Sequence, residues 1–375
     1  MAQAARPARE PHARSRAKRS RSPAQGQRAM FAALDLGTNS CRMLIAHPQG
    51  AHFKIVDAFA KTVRLGPDIE RDGALSASAI DRTISALKIC ASKIKKHDVA
   101  HRRLVATEAC RRARNGDAFL EMVKDRTGLS LEVIAPDEEA RLAVVSCAPL
   151  VTRKAQQVMV FDIGGGSTEL VWIDVSHLPR AERKRAVMRL GVAGPEGIKD
   201  TGARVVDFIS VPLGVATLNE KFSDVVDEPA RFALMSWFFE EQLQAFSPYQ
   251  NTDILGADAK FQMIGTSGTV TTVAAAHLGL KRYDRRKVDG MTMTAGEIEA
   301  VVNRLVALSP QERMRDPNIG RDRAKLILAG AAILQTLLRL WPTERLRVAD
   351  RGLREGMLYS MMSAERVLTE DLGDD

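Results

Sequence analysis

The chain is predicted to be a mixed α/β protein built from two related lobes with a cleft between them. Three observations carry that prediction. Strand-like and helix-like stretches alternate along the 375 residues, which is the pattern of sheets covered by helices. From Val158 to Ile173 the sequence reads "VMVFDIGGGSTELVWI", an apolar run, a small-residue turn and a second apolar run. An earlier stretch, "FAALDLGTNSCRMLIA", repeats its spacing: Asp35, Gly37 and Ser40 stand at the same offsets as Asp162, Gly164 and Ser167.

Each copy reads as strand, tight turn, strand. Glycines strip the Cβ atoms from the turn of the second copy, so its amides can face inward and an anionic oxygen can approach the backbone. A Walker-type loop is excluded, because no lysine follows Gly164, Gly165 and Gly166. Ordinary hairpins also contain Gly, Asn, Ser and Asp, and a single copy would carry no more than that. Two matching copies imply two lobes, each offering a small-residue loop and an acid to a shared phosphate chain and its metal.

Composition fits two domains of ordinary size, with 45% hydrophobic and 27% charged residues. The net charge of +9 is concentrated at the start of the chain: residues 1–28 hold eight Lys/Arg against one acid, Glu10. That Ala/Arg/Ser/Pro leader is expected to be a solvated tail, with charge enough for loose contact with nucleic acid or polyphosphate. It lacks the apolar core of a secretory signal, and the longest apolar run, Leu326 to Leu338, is too short for a bilayer. The four cysteines, at 41, 90, 110 and 147, have no zinc-like spacing. Buried thiols in a cytoplasmic protein are expected.

After the first hairpin, His52 to Val63 reads as a strand. An amphipathic helix follows from Leu75, behind Ser76 or Ser78 as cap. Arg103 to Ala106 is a short strand, and Thr107 is expected to cap a helix over "EACRRARNGDAFLEMV". Arg111 there is either a solvated charge or a guanidinium reaching phosphate oxygens. Leu131 to Ile134 is another strand, and Pro136 opens a helix with Asp137, Glu138 and Glu139 in its first turn. Those acids complement the helix dipole; the same place suits a carboxylate that orients a water.

Beyond the second hairpin, residues 177–206 read as a basic, partly ordered insertion. Asp207 to Leu213 resumes a strand, with a helix from Gly214. Gly265, Thr266, Ser267 and Gly268 sit between a strand and an Ala-rich helix, an anion-binding geometry in which helix capping and packing are the plainer alternative. Helices over Ala295–Leu308 and Arg321–Leu340, a strand at Arg345–Val348 and a last helix from Leu353 complete the chain.

With these residues assembled, the chain resembles the Ppx/GppA phosphatases, the exopolyphosphatase and guanosine pentaphosphate phosphohydrolase family of the acetate-kinase/sugar-kinase/actin superfamily. Seven stretches carry the likeness: "ALDLGTNSCRMLI", "VATEACRRARN", "VIAPDEEARL", "VFDIGGGSTELV", "SVPLGVATLNEKF", "MIGTSGTVTTVAAAHLGL" and "ADRGLREGMLY". The resemblance implies two RNase H-like lobes, one of residues 29–141 with 352–375, the other of 142–351. It implies that Asp35, Asp162 and Glu169 lie at a catalytic Mg²⁺ or Mn²⁺, that Glu139 activates the attacking water, and that Arg111 grips the terminal phosphate. Thr38, Asn39 and Ser40 on one side, with Gly164, Gly165, Gly166, Ser167 and Thr168 on the other, match its phosphate loops. Ala135-Pro136 stands where many members have Ser-Gly, which keeps Glu138 open as the water-orienting acid.

The expected activity is metal-dependent release of terminal orthophosphate from inorganic polyphosphate, from the stringent-response nucleotide pppGpp, or from both. No membrane and no specific nucleic acid is expected as partner, and a homodimer is left open. A superfamily kinase using ATP and a non-enzymatic nucleotide- or polyphosphate-binding regulator are the alternatives. Ending with the two-lobe core, the chain is expected to be a short form without the helical domains that extend the substrate channel of long members.

Overall fold

The computed structural model describes residues 29–66, 68–190, 202–251 and 260–369. The basic leader and residues 191–201 of the expected insertion lie outside these. Eleven strands form two mixed sheets. The first holds β1 (Phe31–Leu36), β2 (Ser40–Gln49), β3 (His52–Thr62), β4 (His101–Ala106) and β5 (Glu132–Val133), in the order β3-β2-β1-β4-β5. The second holds β6 (Gln157–Ile163), β7 (Thr168–Asp174), β8 (Arg204–Val211), β9 (Phe261–Thr266), β10 (Thr292–Thr294) and β11 (Arg345–Ala349), in the order β10-β11-β9-β6-β7-β8.

The repeat seen in the sequence extends to the topology. In each sheet a hairpin and a third antiparallel strand lie to one side and a parallel neighbour to the other: β1 pairs antiparallel with β2 and parallel with β4, as β6 does with β7 and β9. The second sheet adds an antiparallel edge strand beyond its parallel ones, β10 on β11. Both hairpin turns close with the same backbone bond, Gly37 N to Ser40 O at 3.0 Å and Gly164 N to Ser167 O at 2.9 Å.

Strand alternation sorts the core. Ala32, Leu34 and Leu36 of β1 pack with Ala79, Leu87 and Phe119 of the outer helices Ala77–Lys96 and Gly116–Thr127. Phe31 and Ala33 face the other way, onto helices Pro136–Cys147 and Leu353–Ala364. In β6, Met159, Phe161 and Ile163 pack with the helices Gly268–His277 and Ile327–Leu340, while Val158 and Val160 face Ala140 and Val144 of Pro136–Cys147. Asp35 keeps the parity of Phe31 and Asp162 that of Val158, so both acids stand on the sheet faces turned toward helix Pro136–Cys147. That helix crosses Leu353–Ala364 so closely that a Cβ at Gly356 would lie 2.0 Å from the Leu142 carbonyl oxygen.

Several local expectations are corrected. The helix read through "EACRRARNGDAFLEMV" is two, Glu108–Arg112 and Gly116–Thr127, and Thr107 makes no side-chain cap. The chain turns sharply there: at Gly116 a Cβ would sit 2.4 Å from the Cys110 carbonyl oxygen. Ser76 holds the N-cap position of its helix without a side-chain capping bond. Arg321–Leu340 breaks into Arg321–Ala324 and Ile327–Leu340. The described part of 177–206 includes a helix, Arg183–Arg189, whose Arg183 is buried under the carbonyls of Ala155 and Leu178. All four cysteines are buried and free, and no helix among the described residues is long and apolar enough to cross a membrane.

Candidate active site

The C-terminal ends of β1, β6, β9 and β11 open onto one cleft, lined by Asp35, Thr38, Asn39 and Ser40 from one hairpin and by Asp162, Gly164, Gly165, Gly166, Ser167 and Glu169 from the other. The hairpins touch across its floor. A Cβ at Gly166 would lie 2.4 Å from Thr38 Oγ1, and one at Gly165 would lie 3.3 Å from the Asn39 amide nitrogen. These glycines therefore serve a steric need, the approach of two lobes, besides exposing amides.

The orientation of the glycine loop is set from behind. Val215 N donates to Gly164 O at 2.9 Å and Ala216 N to Gly165 O at 2.8 Å, which commits the loop carbonyls to helix Val215–Lys221. Gly214 permits this contact, since a Cβ there would meet the Gly164–Gly166 backbone at 2.5–2.6 Å. Thr38 Oγ1 is buried with no hydrogen-bond partner where the two hairpins meet, an unmet polar atom at the edge of the cleft.

Four carboxyls crowd this end, Glu169 buried and Asp35, Asp162 and Glu139 half-buried. Asp35 is raised above its ordinary pKa, mainly by burial, with Arg42 and Arg354 opposing. Asp162 is pushed up to about 6 by burial and then by the negative charge of Asp35. Glu169 is pushed up to about 7 by burial, although Ser210 Oγ donates to it at 2.9 Å. Glu139 lies well above its usual range, through burial and then the neighbouring Glu169. Glu138 does not line the cleft; Arg103 and Arg141 donate to it at 2.6 and 3.1 Å. Of the two candidate glutamates, Glu139 is the one that lines the cleft.

A family model described as the Ppx/GppA phosphatase family matches residues 44–365. The chain belongs to this family. The Ppx/GppA family member of Aquifex aeolicus is 31% identical over 90% of this chain and 98% of its own, with a TM-score of 0.69. An exopolyphosphatase-like protein is 26% identical over 91% of this chain and 100% of its own, with a TM-score of 0.73. An exopolyphosphatase from Cytophaga hutchinsonii, 22% identical over 91% and 100%, has a TM-score of 0.74 and shares the fold. The two sheets are accordingly those of a two-lobed actin-like fold.

In this Ppx/GppA protein some expected site residues stand elsewhere. Arg111 is not on the cleft surface. Its Nη1 donates to Glu139 at 2.9 Å and to Ile134 O at 2.8 Å, and its Nη2 to Glu108 at 3.0 Å, so its donors are committed behind the acids. Thr168 is fully buried, donating to Leu213 O at 2.7 Å. Gly265 faces the Phe161 ring, 2.4 Å from where its Cβ would be, and so meets a packing need. Thr266 and Ser267 reach the cleft with their hydroxyls engaged: Thr266 donates to Arg351 O, and Ser267 accepts from Thr269 N and Val270 N. Ser267 holds the left-handed φ of +129° to do so, a strain of the kind kept at functional turns. The amides expected to bind an anion at that helix start are thus partly spent on its own cap.

Other cleft residues escaped the sequence reading: Arg42, Glu108, Tyr283, Arg323, Arg351 and Arg354. One of them was within reach. The hairpin repeat continues two residues past the serines, where Arg42 pairs with Asp35 across β1 and β2 as Glu169 pairs with Asp162 across β6 and β7. The others come from distant segments with no repeat to flag them.

Among the described residues no three His, Cys, Asp or Glu close into a metal-holding cluster, so the expected set of Asp35, Asp162 and Glu169 does not form one by itself. Asp35 and Asp162 line the cleft from one sheet each, hard oxygen donors whose mutual repulsion a cation would relieve. That fits Mg²⁺, which takes one or two carboxylates and leaves the remaining positions to phosphate oxygens and water.

Proposed function

We propose that this chain is a metal-dependent phosphoanhydride hydrolase that removes orthophosphate from the end of inorganic polyphosphate, of pppGpp, or of both. The observation that carries the reading is Glu139: a half-buried carboxyl on the cleft wall, beside the glycine hairpins and held by Arg111 at 2.9 Å, with its pKa raised by burial and then by Glu169. A carboxylate placed there can orient a water and take its proton. Membership of a phosphatase family supports it.

In this reading the terminal phosphoryl group lies between the hairpins, accepting from the glycine-loop amides and from Thr38 Oγ1. Asp35 and Asp162 would hold Mg²⁺ or Mn²⁺, which when bound supplies charge neutralisation to the phosphoryl oxygens. Glu139 orients the water and takes its proton. Arg111 acts through Glu139: its bond at 2.9 Å fixes the carboxylate, and Glu108 fixes Arg111 in turn. Arg42 and Arg354 add positive charge near Asp35.

The test is orthophosphate release from polyphosphate and from pppGpp, side by side, with Mg²⁺. Glu139→Gln is expected to lower kcat by roughly 10²–10⁴-fold with KM changed only a few-fold. A mutant as fast as the natural protein would remove Glu139 from the mechanism. Transfer from ATP to a small acceptor, without release from either substrate, would make the protein a kinase. Tight binding without turnover would make it a regulator.

A further inference from the structure

The second sheet gives the cleft a direction. Its strands reach the cleft in the order β7, β6, β9, β11, and their registers set Glu169, Asp162, Thr266 and Ala349 side by side. Glu139 is in the first turn of helix Pro136–Cys147, which packs on β6, β7 and β8, on the β7 side of the cleft. Ala349, two residues before Arg351, ends the strand at the other end, three strand spacings or roughly 14 Å from Glu169.

Arg351 lines the cleft and is anchored at one point. Its Nε donates to both carboxylate oxygens of Asp289, at 3.1 and 2.9 Å. Asp289 lies outside the cleft lining and also accepts from Asp350 N at 3.1 Å. The backbone is tied down as well: Arg351 O accepts from Thr266 Oγ1, and the next residue, Gly352, comes close enough that its Cβ would be 4.0 Å from Asp162 Oδ2. Among the described residues nothing accepts from the two Nη groups of Arg351. A guanidinium held through Nε with both Nη groups uncommitted is preorganised to fork onto a phosphoryl group.

We infer that Arg351 contacts the phosphoryl group next to the terminal one, on the leaving side of the reaction, and that Asp289 is the positioning residue that aims it. This rests on the hydrolase reading above. The water oxygen bonds to the terminal phosphorus from the Glu139 end, and one water proton passes to Glu139. The bridging P–O bond breaks on the Arg351 end, and its electron pair stays on the oxygen of the shortened chain. The charge gathering on that oxygen and its neighbours is what Arg351 meets, so its effect belongs to the transition state more than to the bound substrate.

The experiment is steady-state kinetics of the full chain with Mg²⁺ on tripolyphosphate and pppGpp, the better substrate then serving for the variants Arg351→Ala, Arg351→Lys, Asp289→Asn and the Asp289→Asn/Arg351→Ala double variant. Arg351→Ala is expected to lose about 10²-fold in kcat/KM, mostly in kcat, with an unchanged thermal midpoint. Arg351→Lys regains part of that loss. Asp289→Asn loses less than Arg351→Ala, and the double variant is no slower than Arg351→Ala, because Asp289 acts through Arg351. Arg351→Ala within twofold of the natural protein would overturn the inference, as would a double variant showing the product of the two single losses. If Arg351→Ala does not fold, equal rates for Arg351→Lys, Asp289→Asn and the natural protein would overturn it too. No turnover of either substrate by the natural protein would instead overturn the hydrolase reading.

Discussion

The carboxyls of the cleft store electrostatic cost. Glu169 is fully buried, with Asp162 as its cross-strand partner, and its pKa stands at about 7. A carboxyl whose folded pKa is raised binds its proton more tightly in the folded chain than in the unfolded one. Its contribution is therefore full below the ordinary carboxylate range, near pH 4, and is lost as pH rises through about 7, by about 1.4 kcal/mol per unit of displacement. Glu169→Gln, which can still accept from Ser210, is expected to match the natural protein's thermal midpoint near pH 4.5 and exceed it at pH 8. Melting curves in EDTA across that range check this; a variant less stable at every pH would contradict it. The acid itself was legible in the sequence because it lies in a motif. Its pKa was not, because the burial that raises it comes from residues far apart in the chain.

Among the elements, the two hairpins and the crossed helices do most to fix the cleft, and both depend on missing Cβ atoms. At Gly356 a methyl group would meet the Leu142 carbonyl, backbone that cannot swing aside. Gly356→Ala is expected to cost about 1–3 kcal/mol or more, read from chemical denaturation. Gly166→Ala would force Thr38 and Glu108 away, at 2.4 and 3.1 Å from the new Cβ. Its expected effect is loss of activity with a much smaller loss of stability, measured by phosphate release beside denaturation. The hairpins were legible because both copies keep Asp, Gly and Ser in step with the strand ends. Their contact was not, since a glycine looks the same whether it frees an amide or admits a neighbour. Helix Glu228–Glu241 escaped for another reason: Phe232, Leu234, Met235, Trp237, Phe238 and Phe239 run nearly around its axis, leaving no stripe for periodicity to detect. Trp237 is 58% exposed there.

At the scale of the whole molecule, the proposed function needs both lobes to contact one anion. Asp35 belongs to the first sheet and Asp162 to the second, so removing the metal is expected to abolish turnover without unfolding either lobe. EDTA should stop phosphate release and added Mg²⁺ restore it, while Asp35→Asn and Asp162→Asn each raise the Mg²⁺ needed for half-maximal rate by about tenfold or more. Full activity in EDTA would contradict the role given to these acids. The two-lobed plan was legible from the repeat, and the sheet order follows it strand for strand from β1 to β4 and from β6 to β9. The cationic end of the cleft was not, because Arg323, Arg351 and Arg354 reach it from the far end of the chain. Hydrolysis of the better substrate in ¹⁸O-labelled water tests the central claim most directly. One ¹⁸O is expected in each released orthophosphate and none in the shortened product; label in the shortened product would contradict attack at the terminal phosphorus.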